Sequence, residues 1–316
     1  MLHYYYSGSG INNAAFDTEE MLIESVKACE FRLLSCYKSY VQYAEWWLSY
    51  SSVLNKDITI LFDSGAFTAW NKGSEVTLDQ LCTIYYDLMM KNFTAHKNIW
   101  LINLDKIPGS PGRTADAAEM AECERISDYN YNVLVKEFGN RVLPVYHQGE
   151  NKKRLDEVIS MSKYICVSPR NDLPENQRVT WSKEVHGLLP AGTQTHGLAA
   201  TGIKMMTQVP WYSVDSASWL FAASNGSVSI CLNGKLKLVA VSEKSTNRHT
   251  EEQHYSTMPR LTQLAIDKRF EKYGLTFEDL SKSYGKRMLV IIHETNHWLK
   301  HHHKFNLLKQ ETMFDL

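Results

Sequence analysis

Several short stretches of this chain deliver carboxylates to places where chemistry is done. Trp211-Tyr-Ser-Val214 reads as a short buried strand, Asp215 stands where it should stop, and small residues then open a turn. A carboxylate at that point is costly to desolvate unless it has a partner or a task. It also has an ordinary use, because strand-end aspartates cap the helices that follow them. The pattern recurs upstream, in Asp63-Ser-Gly-Ala-Phe67, Asn103-Leu-Asp105, His147-Gln-Gly149, Ser168-Pro-Arg170 and His196-Gly-Leu-Ala199, each after an apolar run. Two carboxylates facing one another across a pocket are what exchange of a glycosidic bond with retention needs: one attacks the anomeric carbon and the other shuttles the leaving group's proton. Asp215 and Asp63 are the candidates for those two roles.

A third acid, Asp105, beside the amide of Gln148 and the backbone at Gly149, offers acceptors and donors suited to the edge of a purine-like base. Phe67, Tyr146 and Trp219 could sandwich a flat ring. Gly65, Gly149 and Gly197 would let a ligand approach the backbone. His147 and His196 flank the same strand ends, where a satisfied structural histidine is the commoner case. Arg170 could meet a phosphate or pair with Asp172, and Lys204 and Arg248 carry similar backbone-contact readings.

Such residues need a frame that gathers strand ends at one mouth. Short apolar, β-rich runs cover residues 3–6, 31–34, 58–62, 99–104, 142–146, 164–167, 194–198 and 211–214. Helical periodicity fills residues 78–92, 115–138 and 152–162 between them. Eight strands alternating with helices is the count of an α/β (β/α)8 TIM barrel, and continuous apolar runs are what buried parallel strands show. An open doubly wound sheet is the competing architecture, but no GxGxxG follows the first strand, and Ser7-Gly-Ser-Gly10 is too short to stand for one. The expected organisation is one catalytic domain over residues 1–316, with barrel strands over about 3–215. A small β-hairpin over about 228–241 turns at Asn233-Gly234, and C-terminal helices cover about 259–313.

Composition bounds the class. In 316 residues, 44% hydrophobic and 22% charged content is that of a soluble globular protein. No apolar run approaches the roughly 20 residues of a membrane span, and Met1-Leu-His-Tyr-Tyr-Tyr6 does not read as a signal peptide, so a cytoplasmic protein without a membrane partner is expected. The six cysteines are scattered with no CxxC pair, which favours reduced thiols over disulfides. Net charge is −1, yet residues 235–316 hold 14 Lys and Arg against 10 Asp and Glu, with seven histidines. A basic end on an acidic body is compatible with a nucleic-acid footprint, and equally with a solvated helical surface.

In their order along the chain, these motifs resemble those of the tRNA-guanine transglycosylase (queuine/archaeosine tRNA-ribosyltransferase) superfamily. Asp63-Ser-Gly-Ala-Phe67 is similar to its Asp-Ser-Gly-Gly-Phe, His147-Gln-Gly149 to its Gln-Gly pair, and His196-Gly-Leu-Ala199 to its Gly-Gly-Leu-Ala. Asn103-Leu-Asp105 resembles its strand-end Asp motif, and Asp215 falls where its nucleophile stands. The resemblance implies that Asp215 attacks C1′ of a guanosine while Asp63 serves as general acid and base. It further implies that Asp105, Gln148, Gly149, Gly197 and Leu198, with Phe67, bind guanine and then a 7-deazaguanine base such as preQ0. Family members carry zinc on a Cys-x-Cys-x-x-Cys run and a later histidine. Here that region holds only Cys231, so no metal or other cofactor is expected. Zinc-poor relatives resemble the DNA-guanine transglycosylases of 7-deazaguanine DNA modification, so DNA is expected ahead of tRNA, with a second copy or an accessory protein as further partners.

One signal competes. His293-Glu-Thr-Asn-His297 matches HExxH, in which two histidines hold zinc on one helix face and the glutamate activates water for peptide hydrolysis. That reading needs a third ligand from a short downstream stretch, where Glu311 and Asp315 are the acids. A non-catalytic nucleic-acid-binding barrel is the third class, favoured if Asp215 and Asp63 merely cap helices.

Overall fold

A computed structural model describes residues 1–8, 17–37, 41–54, 58–92, 99–110, 112–245 and 252–303. Arg248, Gly10, Glu311, Asp315 and the end of the expected C-terminal helical region lie outside the described residues. In chain order the elements begin β1 (His3–Tyr6), α1 (Glu19–Ala28), β2 (Phe31–Ser35), α2 (Val41–Val53), β3 (Thr59–Asp63), α3 (Ala66–Asn71), α4 (Leu78–Asn92) and β4 (Ile99–Ile102). There follow α5 (Ala117–Phe138), β5 (Val142–Leu143), β6 (Val145–His147), α6 (Lys152–Met161), β7 (Tyr164–Ser168), α7 (Glu175–Leu188), β8 (Gln194–Gly197), α8 (Ile203–Gln208) and β9 (Ser213–Ser216). The remainder holds α9 (Ser218–Ser224), β10 (Ser227–Leu232), β11 (Lys235–Ala240), α10 (Arg260–Glu271), α11 (Phe277–Lys282) and α12 (Tyr284–His301). Among the described residues no helix is long and apolar enough to cross a membrane.

The chain divides into two compact units, one of residues 2–10 and 30–216, the other of Met1 and residues 11–29 and 217–316. The first is a parallel α/β barrel. Its strands run in the order β5-β4-β3-β2-β1-β9-β8-β7-β6, every pair parallel. The two ends of that order are consecutive in the chain, separated only by Pro144. Proline has no N–H to give a ladder, so the run expected as one strand over 142–146 breaks there. Its first half pairs with β4 and its second with β7: the Asn103 N–H donates to the Leu143 carbonyl, and the Cys166 N–H to that of Pro144. The two halves act as one stave, giving eight in all.

Period two along each stave decides what fills the barrel. Tyr5, Leu33, Leu61, Ile102, Leu143, Val145, Tyr164 and Cys166 form one buried apolar cluster. Each such Leu or Ile contributes about 1.5–3 kcal/mol by leaving water, and Leu61→Ala would cost about 2–5 kcal/mol with its cavity. Two residues further along the same face, Leu33, Leu61, Val145 and Cys166 give way to Ser35, Asp63, His147 and Ser168. Ser35 lies in register beside Asp63, and His147 beside Ser168. The inner face thus turns from apolar to polar at one end of the barrel.

The last strand differs from the expectation. It runs Ser213–Ser216 instead of 211–214, because its ladder partner is His3–Tyr6, which aligns Tyr5 with Asp215. Asp215 therefore sits inside the strand, one residue from its end.

In the second unit β10 and β11 form the expected antiparallel hairpin, with Asn233 at φ 50° and Gly234 at φ 75° in the turn. Helix α12 buries Met288, Val290, Ile291, Ile292 and Trp298. The buried Arg287 donates to the carbonyls of Ala223 and Leu280, so its charge is answered by carbonyl oxygens.

Candidate active site at the barrel mouth

Asp63 ends β3 on the face that carries Leu61. Its carboxylate receives the Gly65 N–H and the Ser35 hydroxyl, both of which favour the charged form. Burial opposes them and dominates, the charge of Asp215 adds to it and that of Asp105 follows, so the pKa rises to about 7. Gly65 has φ 83°, and a Cβ there would lie 2.8 Å from that of Tyr37. Glycine is needed at this turn for the chain's own packing, rather than for the approach of a ligand.

Asp215 is buried and held from the neighbouring stave. The Ala199 N–H donates to its Oδ1 at 3.1 Å, and the Ala200 N–H donates to its backbone carbonyl at 3.0 Å. Ala199 takes φ 50° to do so, a left-handed conformation that costs a non-glycine residue about 1–2 kcal/mol, and Arg178 steadies it by donating to its carbonyl. Beneath Asp215 runs a polar chain inside the barrel. Tyr164 Oη and His196 Nδ1 both bond the Ser213 hydroxyl at 2.7 Å, and His196 Nε2 lies 3.3 Å from Asp215 Oδ1, off hydrogen-bonding alignment.

Asp105 is buried and stands just past β4. Its Oδ2 meets His147 Nε2 at 2.7 Å, and the His147 N–H donates to Glu150 at 2.6 Å. Burial works against a charged imidazole, but the hydrogen bond and charge of Asp105, with Glu150 behind them, lift the His147 pKa above its ordinary value. Burial raises Glu150. Helix α5 secures this corner through two polar residues on its buried face. Ser127 accepts the Lys106 N–H and its carbonyl takes the Asn103 amide, while the Asn130 amide donates to the Leu104 carbonyl.

The three acids converge. The thiol of Cys166, on the barrel floor, is held well above its usual pKa by burial and then by the charges of Asp105, Asp215 and Asp63 together. The carboxylates of Asp63, Asp105 and Asp215 thus lie near enough to bear on one group.

Other expected site residues fall differently. Gln148 Oε1 accepts the Arg170 N–H at 3.0 Å, which leaves the Nε2 end of the amide for a ligand. Gly149 is exposed, with φ 115° and open space where a Cβ would be. Gly197 is buried, and a Cβ there would meet Ala200 at 2.7 Å and the Trp211 ring at 3.0 Å, so its role is packing. Leu198 packs on the barrel core and its N–H donates to Val167, which commits that donor. Phe67 is 48% exposed and stacks on Trp70, whose indole N–H donates to Gly109. Tyr146 points the other way from its strand neighbours Val145 and His147 and stacks on Trp181 of α7, and Trp219 is buried in the second unit. Arg170 is held by Asp172 through two hydrogen bonds of 2.6 and 3.0 Å, and Lys204 Nζ donates to Asn176.

Sequence reasoning missed the Asp105–His147–Glu150 chain, the Ser35 hydroxyl and the Ser127/Asn130 clamp. The available signal was Ser127 and Asn130 falling on the buried stripe of α5, with Cys123, Tyr131 and Leu134.

The HExxH run has a different setting. Glu294 is 0% exposed and accepts from Arg269 through two nitrogens, from Tyr273 Oη at 2.5 Å and from the Cys231 N–H at 2.8 Å. His293 turns to Glu24 of α1 and stacks on Tyr273, whereas His297 lies among His301 and His302. A glutamate so enclosed cannot activate water for a peptide, and the two histidines turn to different partners.

Comparison of the sequence with models of known protein families gives no match, and none of the curated proteins matches it.

Proposed function

We propose that this protein is a nucleic-acid guanine transglycosylase, with DNA ahead of tRNA as its polymer. The observation that carries the reading is Asp63: an acid whose pKa is raised to about 7 by burial and by Asp215, in a mouth it shares with Asp215 and Asp105. A group that is half protonated near neutral pH can give a proton and take one back within a single cycle.

The cycle balances on these residues. An Asp215 oxygen attacks C1′ of the target nucleoside and the C1′–N9 bond breaks, its electron pair leaving with the guanine. Asp63 gives that guanine its proton. The sugar is now an ester of Asp215. The incoming 7-deazaguanine loses its N9 proton to Asp63, and N9 attacks C1′ from the face the guanine left. The ester breaks, the Asp215 carboxylate is restored and Asp63 is ready again. Two inversions at one carbon give retention. The free Oδ1 side of Asp105, whose other oxygen His147 occupies, accepts the N–H groups of the guanine edge, with Phe67 as stacking surface.

Labelled guanine, offered separately with double-stranded DNA and with tRNA, tests this. Uptake by DNA is the expected result. Uptake by tRNA alone would reverse the polymer preference, and uptake by neither would leave a non-catalytic binding barrel. Denaturing electrophoresis without an incoming base should also retain a protein–DNA ester.

A further inference from the structure

We infer that the second unit holds a divalent metal ion of the zinc class on Cys231, His297 and His302. The Cys231 thiol and one imidazole nitrogen from each histidine all lie within 4.8 Å of one another. Zinc takes sulfur at about 2.3 Å and imidazole nitrogen at about 2.0–2.1 Å, so tetrahedral ligand atoms stand roughly 3.4–3.7 Å apart. The three atoms therefore need to close by no more than about 1 Å. The least confined member, His302, is exposed at the end of α12, while Cys231 is buried and His297 intermediate. These residues are not the Cys-x-Cys-x-x-Cys run that the sequence lacks. They are one thiol from a hairpin strand and two imidazoles from a helix end, 66 and 71 residues further along the chain.

The supports around the ligands are already in place. Glu294, one turn before His297, takes the Cys231 N–H, and Arg269 and Tyr273 fix Glu294 in turn. The Trp298 indole donates to the Gly234 carbonyl, pinning the hairpin turn to α12. A Cβ on Gly234 would stand 3.3 Å from His302 Nδ1, so the turn lies directly against the outermost ligand. Partners that orient ligands in this way are the usual second layer of a metal site. The HExxH run thus supplies one ligand through His297 and one support through Glu294, without peptidase chemistry. The fourth coordination position is left to water. Binding converts the thiol to thiolate, and its proton leaves to solvent. The ion would tie β10 to the last turn of α12, a staple remote in sequence from the barrel carboxylates.

The experiment uses the full chain, free of any purification tag and kept reduced. Elemental analysis should find about one zinc per chain, and cobalt(II) exchange should give a thiolate-to-cobalt charge-transfer band with the intense visible absorption of a tetrahedral site. Cys231→Ser should lose the charge-transfer band, and His297→Ala and His302→Ala should weaken metal affinity by at least about tenfold, each with unchanged far-ultraviolet circular dichroism. His301→Ala, outside the set, should leave the band intact. Added zinc should raise the melting temperature of the wild type and not of Cys231→Ser. Persistence of the band in Cys231→Ser, its loss in His301→Ala, or no metal uptake by a folded wild type would overturn the inference. None of these readings uses base exchange, so the outcome is independent of the proposed activity.

Discussion

Two enclosed carboxylates in this molecule meet opposite fates. Glu294 sits in the second unit with a guanidinium, a phenol and a backbone N–H all directed at it. Asp63 sits at the barrel mouth with a hydroxyl and one N–H in its favour and two other acids against it. The first is a charge fully answered by its surroundings. The second is answered only in part, and its proton affinity rises until it straddles neutral pH. A sequence motif singled out both, but the partners set the difference: a satisfied carboxylate holds structure, and a crowded one has its proton affinity raised.

Four substitutions put that contrast under strain, the largest effect first. Asp215→Ala should lower base exchange by about 10⁴-fold, since a nucleophile has no substitute, while the circular dichroism and melting temperature stay near those of the wild type. If exchange survives, the mouth is not the reacting centre. Glu294→Ala should show the reverse pattern. Removing one partner of a buried ion pair costs about 3–5 kcal/mol, read from urea unfolding, and activity per folded molecule should persist. A peptidase would instead lose only its catalysis.

Asp63→Asn belongs to both columns. Exchange should fall by about 10²–10⁴-fold, the usual worth of a general acid and base. Stability should change with the opposite sign. The ordinary aspartate pKa of 3.8 rises to about 7 in the fold, so the folded protein holds a proton that the unfolded chain has released. Wild-type stability therefore falls as pH rises through that window, and the cost is complete above it. Asparagine escapes the cost. Its advantage in melting temperature should be absent below pH 3.8, grow from there to about pH 7, and then stay level. An advantage independent of pH would mean that Asp63 is not the titrating group.

His147→Gln is the smallest change. Glutamine still donates to Asp105, but without the imidazole whose charged form Asp105 favours. Its hydrogen bond should be weaker by about 1.4 kcal/mol, seen as roughly a tenfold higher KM for the free base. The turnover number should remain within about threefold of the wild type, because the proposed cycle gives Asp105 base binding and no reacting bond. A matching loss in turnover would move His147 into the chemistry itself.

What the sequence made legible follows from periodicity. The count of eight staves, the hairpin at Asn233-Gly234 and the helix over residues 78–92 stand as the apolar pattern expected, because burial on a fixed repeat is a local signal, whereas the break at Pro144 and the two-residue shift of the last strand depend on their ladder partners. The shared mouth of Asp63, Asp105 and Asp215 was legible for the same reason, since each acid follows an apolar run. The remainder depends on residues far apart in the chain. Gly197 looks like an opening for a ligand until Trp211 is placed against it, and Gln148 looks free until Arg170 claims its oxygen. Asp105 and His147 are separated by 42 residues, and HExxH cannot disclose Arg269 or Tyr273. Neither spacing nor composition carries such pairings.

The stave interrupted at Pro144 is where the cylinder closes on itself. Two residues hold one side and three the other, and the proline between them has no N–H to give either ladder. Few backbone bonds need to break for this seam to open locally. His147 rides on the downstream half of the stave, so an opening there would loosen its hold on Asp105.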